Sequence, residues 1–188
     1  MHTKSSLAEI KLIATCTIDA YKAHQSAWQF LGKSPHNQRH FHHDFVPLPF
    51  NQGAVITIRA SPEHLPANAK PVHINYEPGI PLEFSLVCSP TISRGNGKEE
   101  PCLTRKELLA WICTRSKPNG FEVIKDSLDF DTEPVLIAKP GKPKFYLNRA
   151  YFNGALKVTD SDLFAKALTV GIGRHKGLGF GMLKITNH

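Results

Sequence analysis

The sequence predicts an α+β fold made of two consecutive units, each with the element order βαββαβ. Strand-like alternation and helix-like apolar stripes recur in the same order on both sides of a segment rich in Pro and Gly, residues 78–81. The chain has 188 residues, of which 41% are apolar. This length and composition suffice for one core of ordinary size or for two small ones.

The first unit opens with a strand at residues 8–15, where apolar and polar side chains alternate. Thr17 or Asp19 can cap a helix over residues 20–31, which Gly32 ends. Two strands, a short helical turn and a final strand complete the unit, at residues 40–46, 53–60, 61–65 and 72–76.

The second unit repeats this order with one additional strand between its helices. A strand at residues 82–89 precedes a helix that the capping box of Thr104 and Glu107 opens and that runs to about Arg115. Three strands follow, at residues 121–125, 135–139 and 150–158. Thr159 or Asp160 then caps a helix at residues 161–170, and a terminal strand lies at residues 182–186. The repeated order predicts two tandem ferredoxin-like domains, 1–78 and 82–188.

Several classes of protein are excluded by composition. No apolar run resembles a secretion signal or reaches the length of a membrane span, so we expect a cytoplasmic protein without membrane contact. The four cysteines include no Cys-x-x-Cys pair, which argues against a zinc site and a disulfide framework.

Residues 171–181 contain five glycines around Arg174, His175 and Lys176. Such a loop can bring backbone N–H groups and cations together on a phosphate. The spacing matches neither a P-loop nor a dinucleotide fingerprint, and a strand rather than a helix follows, which leaves the phosphate of a polymer. A glycine-rich turn that merely leads into the terminal strand is the alternative of equal weight.

The positive charge of the protein lies in its tail. The formal net charge is +7, and residues 139–188 hold nine Lys and Arg side chains against Asp160 and Asp162, whereas the first 138 residues are balanced. A concentrated positive field is typical of a surface that binds nucleic acid or another polyanion. The alternative is a solvated basic face.

Tyr21 and His24 lie one turn apart on the first predicted helix, with Trp28 four residues further on. A histidine at this position is more often a structural residue than a catalytic one. Its imidazole is nevertheless the best general acid or base at neutral pH.

Five motifs in this order resemble those of the CRISPR repeat-processing endoribonuclease of the CasE type. They are Tyr21-x-x-His24-x-x-x-Trp28, the Arg39-His-Phe stretch, residues 80–90, residues 152–160, and the glycine-rich loop with its terminal strand. The resemblance covers nearly the whole chain and implies two ferredoxin-like domains, the fold that the element order predicts independently.

The resemblance implies that the protein binds the hairpin of a CRISPR repeat transcript, cleaves at its base and retains the product within a multi-subunit effector complex. It implies no cofactor and no metal: the ribose 2′-OH attacks the phosphate, giving a 2′,3′-cyclic phosphate and a 5′-OH. His24 would act as general base or general acid, a choice that stays open. Tyr21 would orient the reacting groups and Lys176 would stabilise charge.

Basic and glycine residues form the predicted RNA-binding set: Arg39, Arg94, Lys98, Lys142, Lys144, Arg149, Gly171, Gly173, Arg174, His175, Gly177, Gly179 and Gly181. Residues 91–101 correspond to a basic segment of the relatives but carry Glu99 and Glu100, so their grip on RNA is expected to be weaker. The segment Lys139-Pro-Gly-Lys-Pro-Lys144 is the expected substitute, because its prolines limit the entropy lost when its three cations are fixed on phosphates. An exposed basic turn explains this segment equally well.

Three alternatives stay open at this point. One is an RNA-holding subunit without catalysis, favoured if Tyr21 and His24 prove buried against Trp28 and away from the glycine-rich loop. Another is a metal-dependent hydrolase that uses a set of histidines, His36, His40, His42 and His43. It is disfavoured because His42 and His43 would point to opposite faces of a strand. The third is a ribonucleoprotein-like motif at residues 176–180, which also implies RNA.

Overall fold

The computed structural model describes residues 7–16, 18–32, 39–74, 76–77, 79–93, 95 and 97–186, and over these residues it is α+β with two main antiparallel sheets. The two sheets carry the tandem ferredoxin-like architecture that the element order predicts. None of the helices in the described ranges is long and apolar enough to cross a bilayer.

The first sheet has the strand order β2-β3-β1-β4. Its strands are β1 (Ala8–Ala14), β2 (Phe41–Pro47), β3 (Ala54–Ala60) and β4 (Lys70–Pro71). Helix α1 (Ala20–Leu31) covers one face of it through a stripe of buried alanines. The helix has the predicted bounds, because the Asp19 carboxylate accepts from Lys22 N–H at 2.8 Å and Gly32 ends it with φ 77°.

The end of the first unit differs from the prediction. The predicted turn of helix is a single 3-10 turn, Pro62–His64, and the last strand is β4. Of the predicted strand 72–76, the described residues 72–74 and 76 are not in a strand. Pro66 explains why the turn is short, because proline disfavours the helical conformation at the preceding residue and has no backbone N–H to donate. Thr17, offered as an alternative cap, lies outside the described residues.

The second sheet has the order β11-β5-β10-β8, with β9 also paired to β10. Its strands are β5 (Leu82–Cys88), β8 (Phe121–Val123), β9 (Asp129–Ile137), β10 (Phe145–Val158) and β11 (Met182–Ile185). Its helices are α2 (Arg105–Ser116) and α3 (Ser161–Val170). The predicted capping box is present at the start of α2, and Asp160 caps α3.

Two short strands that were not predicted from the sequence, β6 (Thr91–Ser93) and β7 (Glu99–Pro101), pair as a separate hairpin. Three residues per strand are too few for an alternating pattern to stand out in the sequence. The hairpin therefore became visible only in the structure.

Two apolar cores correspond to the two sheets, but the chain does not divide cleanly between them. Leu7 and Ile74, both from the first 78 residues, belong to the second core, and Leu178 and Phe180 from the tail belong to the first. The domain bounds 1–78 and 82–188 stay a prediction.

Buried charged side chains connect the two sheets. Arg59 of β3 pairs with Glu9 and donates to the carbonyl oxygens of Leu168 and Leu183, at 3.1 and 2.7 Å. Asp44 of β2 pairs with Lys184 of β11. Removing one partner of a buried pair typically costs about 3–5 kcal/mol, because the other charge is left without compensation. These contacts therefore fix how the two sheets sit against each other.

Candidate active site

The glycine-rich loop begins and ends at a narrow neck formed by Gly171 and Gly181. Ile172 N–H donates to the Gly181 carbonyl at 2.8 Å, and Gly181 N–H donates to the Val87 carbonyl at 2.6 Å. A Cβ at Gly171 would overlap the His42 ring, and one at Gly181 would overlap the Ile172 carbonyl. Both residues also have positive φ, so glycine is required here by close packing.

The apolar residues of this loop attach it to the first sheet and to α1. Leu178 is 7% exposed and Phe180 is fully buried, and both pack in the first core beside Ala23 and Ala27 of α1. The 3-10 turn Lys176–Leu178, which we call the cationic turn, contacts both α1 and β2. The tail of the chain is thus brought to the helix that carries His24.

This packing corrects part of the predicted RNA-binding set. Gly171, Gly179 and Gly181 are buried, so their N–H groups do not form an open cradle for a phosphate, whereas Gly173 and Gly177 are only partly buried. The ribonucleoprotein-like alternative loses its basis as well, because the apolar side chains of that segment lie in the core and offer no stacking surface.

His24 lies partly buried on α1, between Trp28 of the same helix and His43 of β2. The ring centroids of His24 and His43 are 5.5 Å apart, and Trp28 Nε1–H donates to His24 Nε2 at 3.1 Å. His43 in turn lies against Gly179, whose hypothetical Cβ would be 3.5 Å from its Nε2. A chain of direct contacts therefore runs from His24 through His43 to the glycine-rich loop.

The surroundings of His24 favour its neutral form. Burial lowers the pKa of His24, and the positive charges of Arg39 and Lys139 lower it further. Burial also lowers the pKa of Lys176, with a further contribution from Arg39. Cations thus converge on this region, which is an environment suited to an anion such as a phosphodiester.

Arg39 and Lys176 lie at the cationic turn. The guanidinium of Arg39 is 3.4 Å from the position that a Cβ on Gly177 would occupy, so it lies directly over the turn. Lys176 is half-buried. Tyr21 lies one turn before His24 and packs partly buried against the first core.

Arg174 and His175 occupy the outer part of the loop. Arg174 forms an ion pair with Glu99 of the hairpin β6–β7, so the acidic side of this hairpin faces the loop. His175 has φ 56°, which is rare for a residue other than glycine, and its Nδ1 is buried without a hydrogen-bond partner among the described residues.

The remaining predicted RNA-binding residues fall into three groups. Lys142 and Lys144 are exposed in the connection between β9 and β10, and Lys98 is exposed on the hairpin, where it has an interaction partner. Arg94 lies outside the described residues. Arg149 is the clear correction, because the structure places it inside the protein.

Arg149 joins the two sheets and does not face solvent. Its side chain is 4% exposed and pairs with Glu133 at 3.1 Å, and its guanidinium lies 4.4 Å from the ring centroid of Phe45. A guanidinium stacked on an aromatic ring and paired with a carboxylate has no face left for a phosphate. We therefore remove Arg149 from the RNA-binding set.

The histidines of β2 do not form a metal site. His42 faces Gly171 and His43 faces His24, so the two rings point to opposite faces as predicted. Burial is the main cause that lowers the pKa of each to about 3. Among the described residues no group of three or more His, Cys, Asp or Glu side chains could hold a metal ion, and His36 lies outside them.

Comparison with protein-family models identifies the family. The model of the family described as CRISPR associated protein matches residues 11–187. The chain belongs to this family.

Relatives of this CRISPR-associated protein span its whole length. The Cascade subunit CasE of Escherichia coli strain K12 is 23% identical over 199 residues, covering 95% of this chain and 98% of the relative. Among solved structures, Thermus thermophilus Cse3 bound to an RNA representing a pre-cleavage complex has a TM-score of 0.78 at 19% identity, covering 97% of this chain and 100% of that one. Cas6e from Escherichia coli K-12 has a TM-score of 0.72 at 22% identity, covering 96% and 98%. These structures share the fold.

In this CRISPR-associated protein, three residues outside the predicted catalytic set of His24, Tyr21 and Lys176 also lie at the site. Lys139 acts on both His24 and His175, Trp28 bonds to His24, and His43 stacks beside it. The spacing of four between His24 and Trp28 was a usable signal, because such residues are neighbours on a helix. Lys139 is 115 positions away from His24 along the chain and had no comparable signal.

Proposed function

We propose that this CRISPR-associated protein is an endoribonuclease that cleaves CRISPR repeat RNA at the base of its hairpin. The observation that carries the proposal is the convergence of His24 of α1 with the cationic turn of the tail, which Leu178 and Phe180 anchor beside that helix. Similarity to CasE and to RNA-bound Cse3 supports the same substrate.

The reaction that fits these groups is an internal phosphoryl transfer without metal. The ribose 2′-OH upstream of the cut loses its proton, its oxygen bonds to the phosphorus, and the bond to the 5′ oxygen breaks. The products are a 2′,3′-cyclic phosphate and a 5′-OH. His24 transfers one of the two protons involved, and such proton transfer is worth about 10²- to 10⁴-fold in rate.

The cations supply the remaining requirement, which is stabilisation of negative charge on the phosphate. Arg39 lies over the cationic turn, and Lys176 belongs to it. Lys139 is close enough to lower the pKa of His24. Preorganised positive groups in a partly water-excluded site stabilise a developing anion more than water does.

Tyr21 is proposed to orient the reacting groups from the preceding turn of α1. For RNA outside the reacting centre, we propose contacts from exposed or loop residues: Lys98, Lys142, Lys144, Gly173, Arg174, His175 and Gly177. Arg94 keeps its predicted role as a proposal from sequence. Among the similar structures is an RNA-guided CRISPR surveillance complex, with a TM-score of 0.65. We propose that the present protein likewise retains its product in a cytoplasmic effector complex.

The test is cleavage of a labelled repeat hairpin in chelator, with identification of the product ends. We expect His24→Ala to lower the single-turnover rate by at least about 10²-fold while hairpin affinity stays within about twofold. His73→Ala, which removes an exposed imidazole elsewhere, is the matched control.

A 2′-deoxy nucleotide before the cut should stop the wild-type enzyme, because it removes the nucleophile. Binding of the hairpin without any cleavage by wild type would favour the alternative of an RNA-holding subunit. Cleavage of the 2′-deoxy substrate, or a requirement for a divalent ion, would refute the proposed chemistry.

A further inference from the structure

The indole of Trp28 is hydrogen-bonded to the imidazole of His24. Its N–H donates to His24 Nε2 at 3.1 Å, across one turn of α1. An indole nitrogen donates and cannot accept, so Nε2 must offer its lone pair. In the neutral imidazole the single proton then resides on Nδ1.

Within the part of the chain that the structure describes, no hydrogen-bond acceptor faces either nitrogen of the imidazolium form. Nδ1 is buried without a hydrogen-bond partner among the described residues. A proton on Nε2 would point at the indole N–H of Trp28, so that two donors would face each other. The charged groups around His24 are also unfavourable to a second proton: Arg39 and Lys139 are cations, and Lys176 belongs to the turn that contacts α1. His43 of β2 is neutral, since burial lowers its pKa to about 3.

Two rings of the β2 segment hold the indole in place. The ring centroid of Trp28 lies 5.2 Å from that of Phe41 and 6.1 Å from that of His40, both with edge-to-face geometry. Phe41 is buried, so this support is rigid. The direction of the indole N–H is therefore determined by the sheet as well as by the helix.

We propose that Trp28 is a positioning residue that preserves a lone pair on His24 Nε2, so that His24 acts as the general base. This inference rests on the cleavage reaction proposed above and decides which proton His24 transfers. When RNA binds, the 2′-OH takes the place of the indole N–H as donor to Nε2. The 2′-OH proton passes to Nε2, the oxygen bonds to phosphorus, and the departing 5′ oxygen takes a proton from water.

Nitrogen NMR of the free protein tests the protonation state directly. In the wild type we expect the Nδ1–H tautomer of His24. In Trp28→Phe, which keeps an aromatic ring but lacks the N–H, we expect the pKa of His24 to rise, because the imidazolium no longer faces a competing donor. Trp111→Phe, at the other tryptophan of the chain, is the matched control and should leave this pKa unchanged.

The functional readout is the dependence on pH of the cleavage rate at subsaturating enzyme, because this rate reports the pKa of His24 in the free protein, where the Trp28 hydrogen bond is present. A hydrogen bond of ordinary strength corresponds to a factor of roughly five in equilibrium. On the acidic limb of the pH–rate profile, the Trp28→Phe variant should therefore cleave RNA about fivefold more slowly than the wild type. On the alkaline plateau of the same profile, the two proteins should have equal rates. A purely structural role would lower the rate equally at every pH.

A second variant distinguishes loss of the hydrogen bond from misfolding. The isostere 3-benzothienylalanine at position 28 replaces the indole N–H by sulfur in nearly the same shape, and it should give the same shifts. An Nε2–H tautomer in the wild type, or an unshifted acidic limb in both variants, would overturn the inference. If wild type did not cleave repeat RNA at all, the proposed function would fail while the NMR experiment still decided the role of Trp28.

Discussion

Leu178→Ala is the most direct test of how the tail of the chain reaches the candidate active site. Leu178 follows Lys176 and Gly177 in the cationic turn, and its side chain is 7% exposed in the first core. The substitution leaves every charged group in place. It removes only the apolar contact that attaches the turn to α1.

The expected cost in stability follows from burial. Leu→Ala substitutions in cores typically lower the free energy of unfolding by about 2–5 kcal/mol. Since the side chain lies at the edge of its core, we expect the lower half of that range. Because a displacement of about 1 Å at a reacting centre can cost on the order of a hundredfold in rate, we expect cleavage to fall far more than stability suggests.

Leu128→Ala is the matched control. Leu128 is 4% exposed, and it lies in the second core, away from α1. Denaturant unfolding should show similar losses for the two variants. Single-turnover cleavage, measured where both are folded, should fall strongly only for Leu178→Ala. Equal rates in the two variants would refute the argument that this leucine positions the turn.

Two further substitutions test the loop. Glu99→Gln should free Arg174 for a phosphate, so RNA affinity should rise and the slope of log K against log salt should steepen by about 0.7–0.9. Glu122→Gln on β8 should leave that slope unchanged, and an unchanged slope in both would contradict the idea. Gly171→Ala should destabilise more than Gly141→Ala. Both have positive φ, but only Gly171 is crowded by His42. If denaturant unfolding gave the same loss of unfolding free energy for both variants, the argument from crowding at Gly171 would be wrong.

The helices of this protein could be predicted closely because their signals are local. Residues 20–31 and 161–170 form helices with the predicted bounds, since a capping carboxylate precedes each and a glycine with positive φ follows each. The strands near residues 8–15 and 53–60 were found for a similar reason, because apolar and polar side chains alternate along them. The strand near residues 40–46 was delimited by the prolines that follow it.

The environment of individual charged residues could not be predicted in this way. Lys142 and Arg149 are both cations within one basic stretch of sequence, yet Lys142 is exposed and Arg149 is stacked on Phe45 across the boundary between the sheets. Likewise, the glycines of the loop suggested an open phosphate cradle, whereas three of them are buried by close packing. Burial depends on partners that are distant in the chain, and no local pattern records them.

The sequence by itself determined the order of the elements, the family and the identity of the groups available for chemistry, because caps, alternation and motif spacing are written along the chain. Only the tertiary structure brought the cationic turn into contact with the helix that carries His24, and placed the indole N–H of Trp28 against His24 Nε2. The physical reason is that Leu178 and Phe180 bury themselves beside a helix about 150 positions away, and contacts of that range are decided by the packing of both cores together.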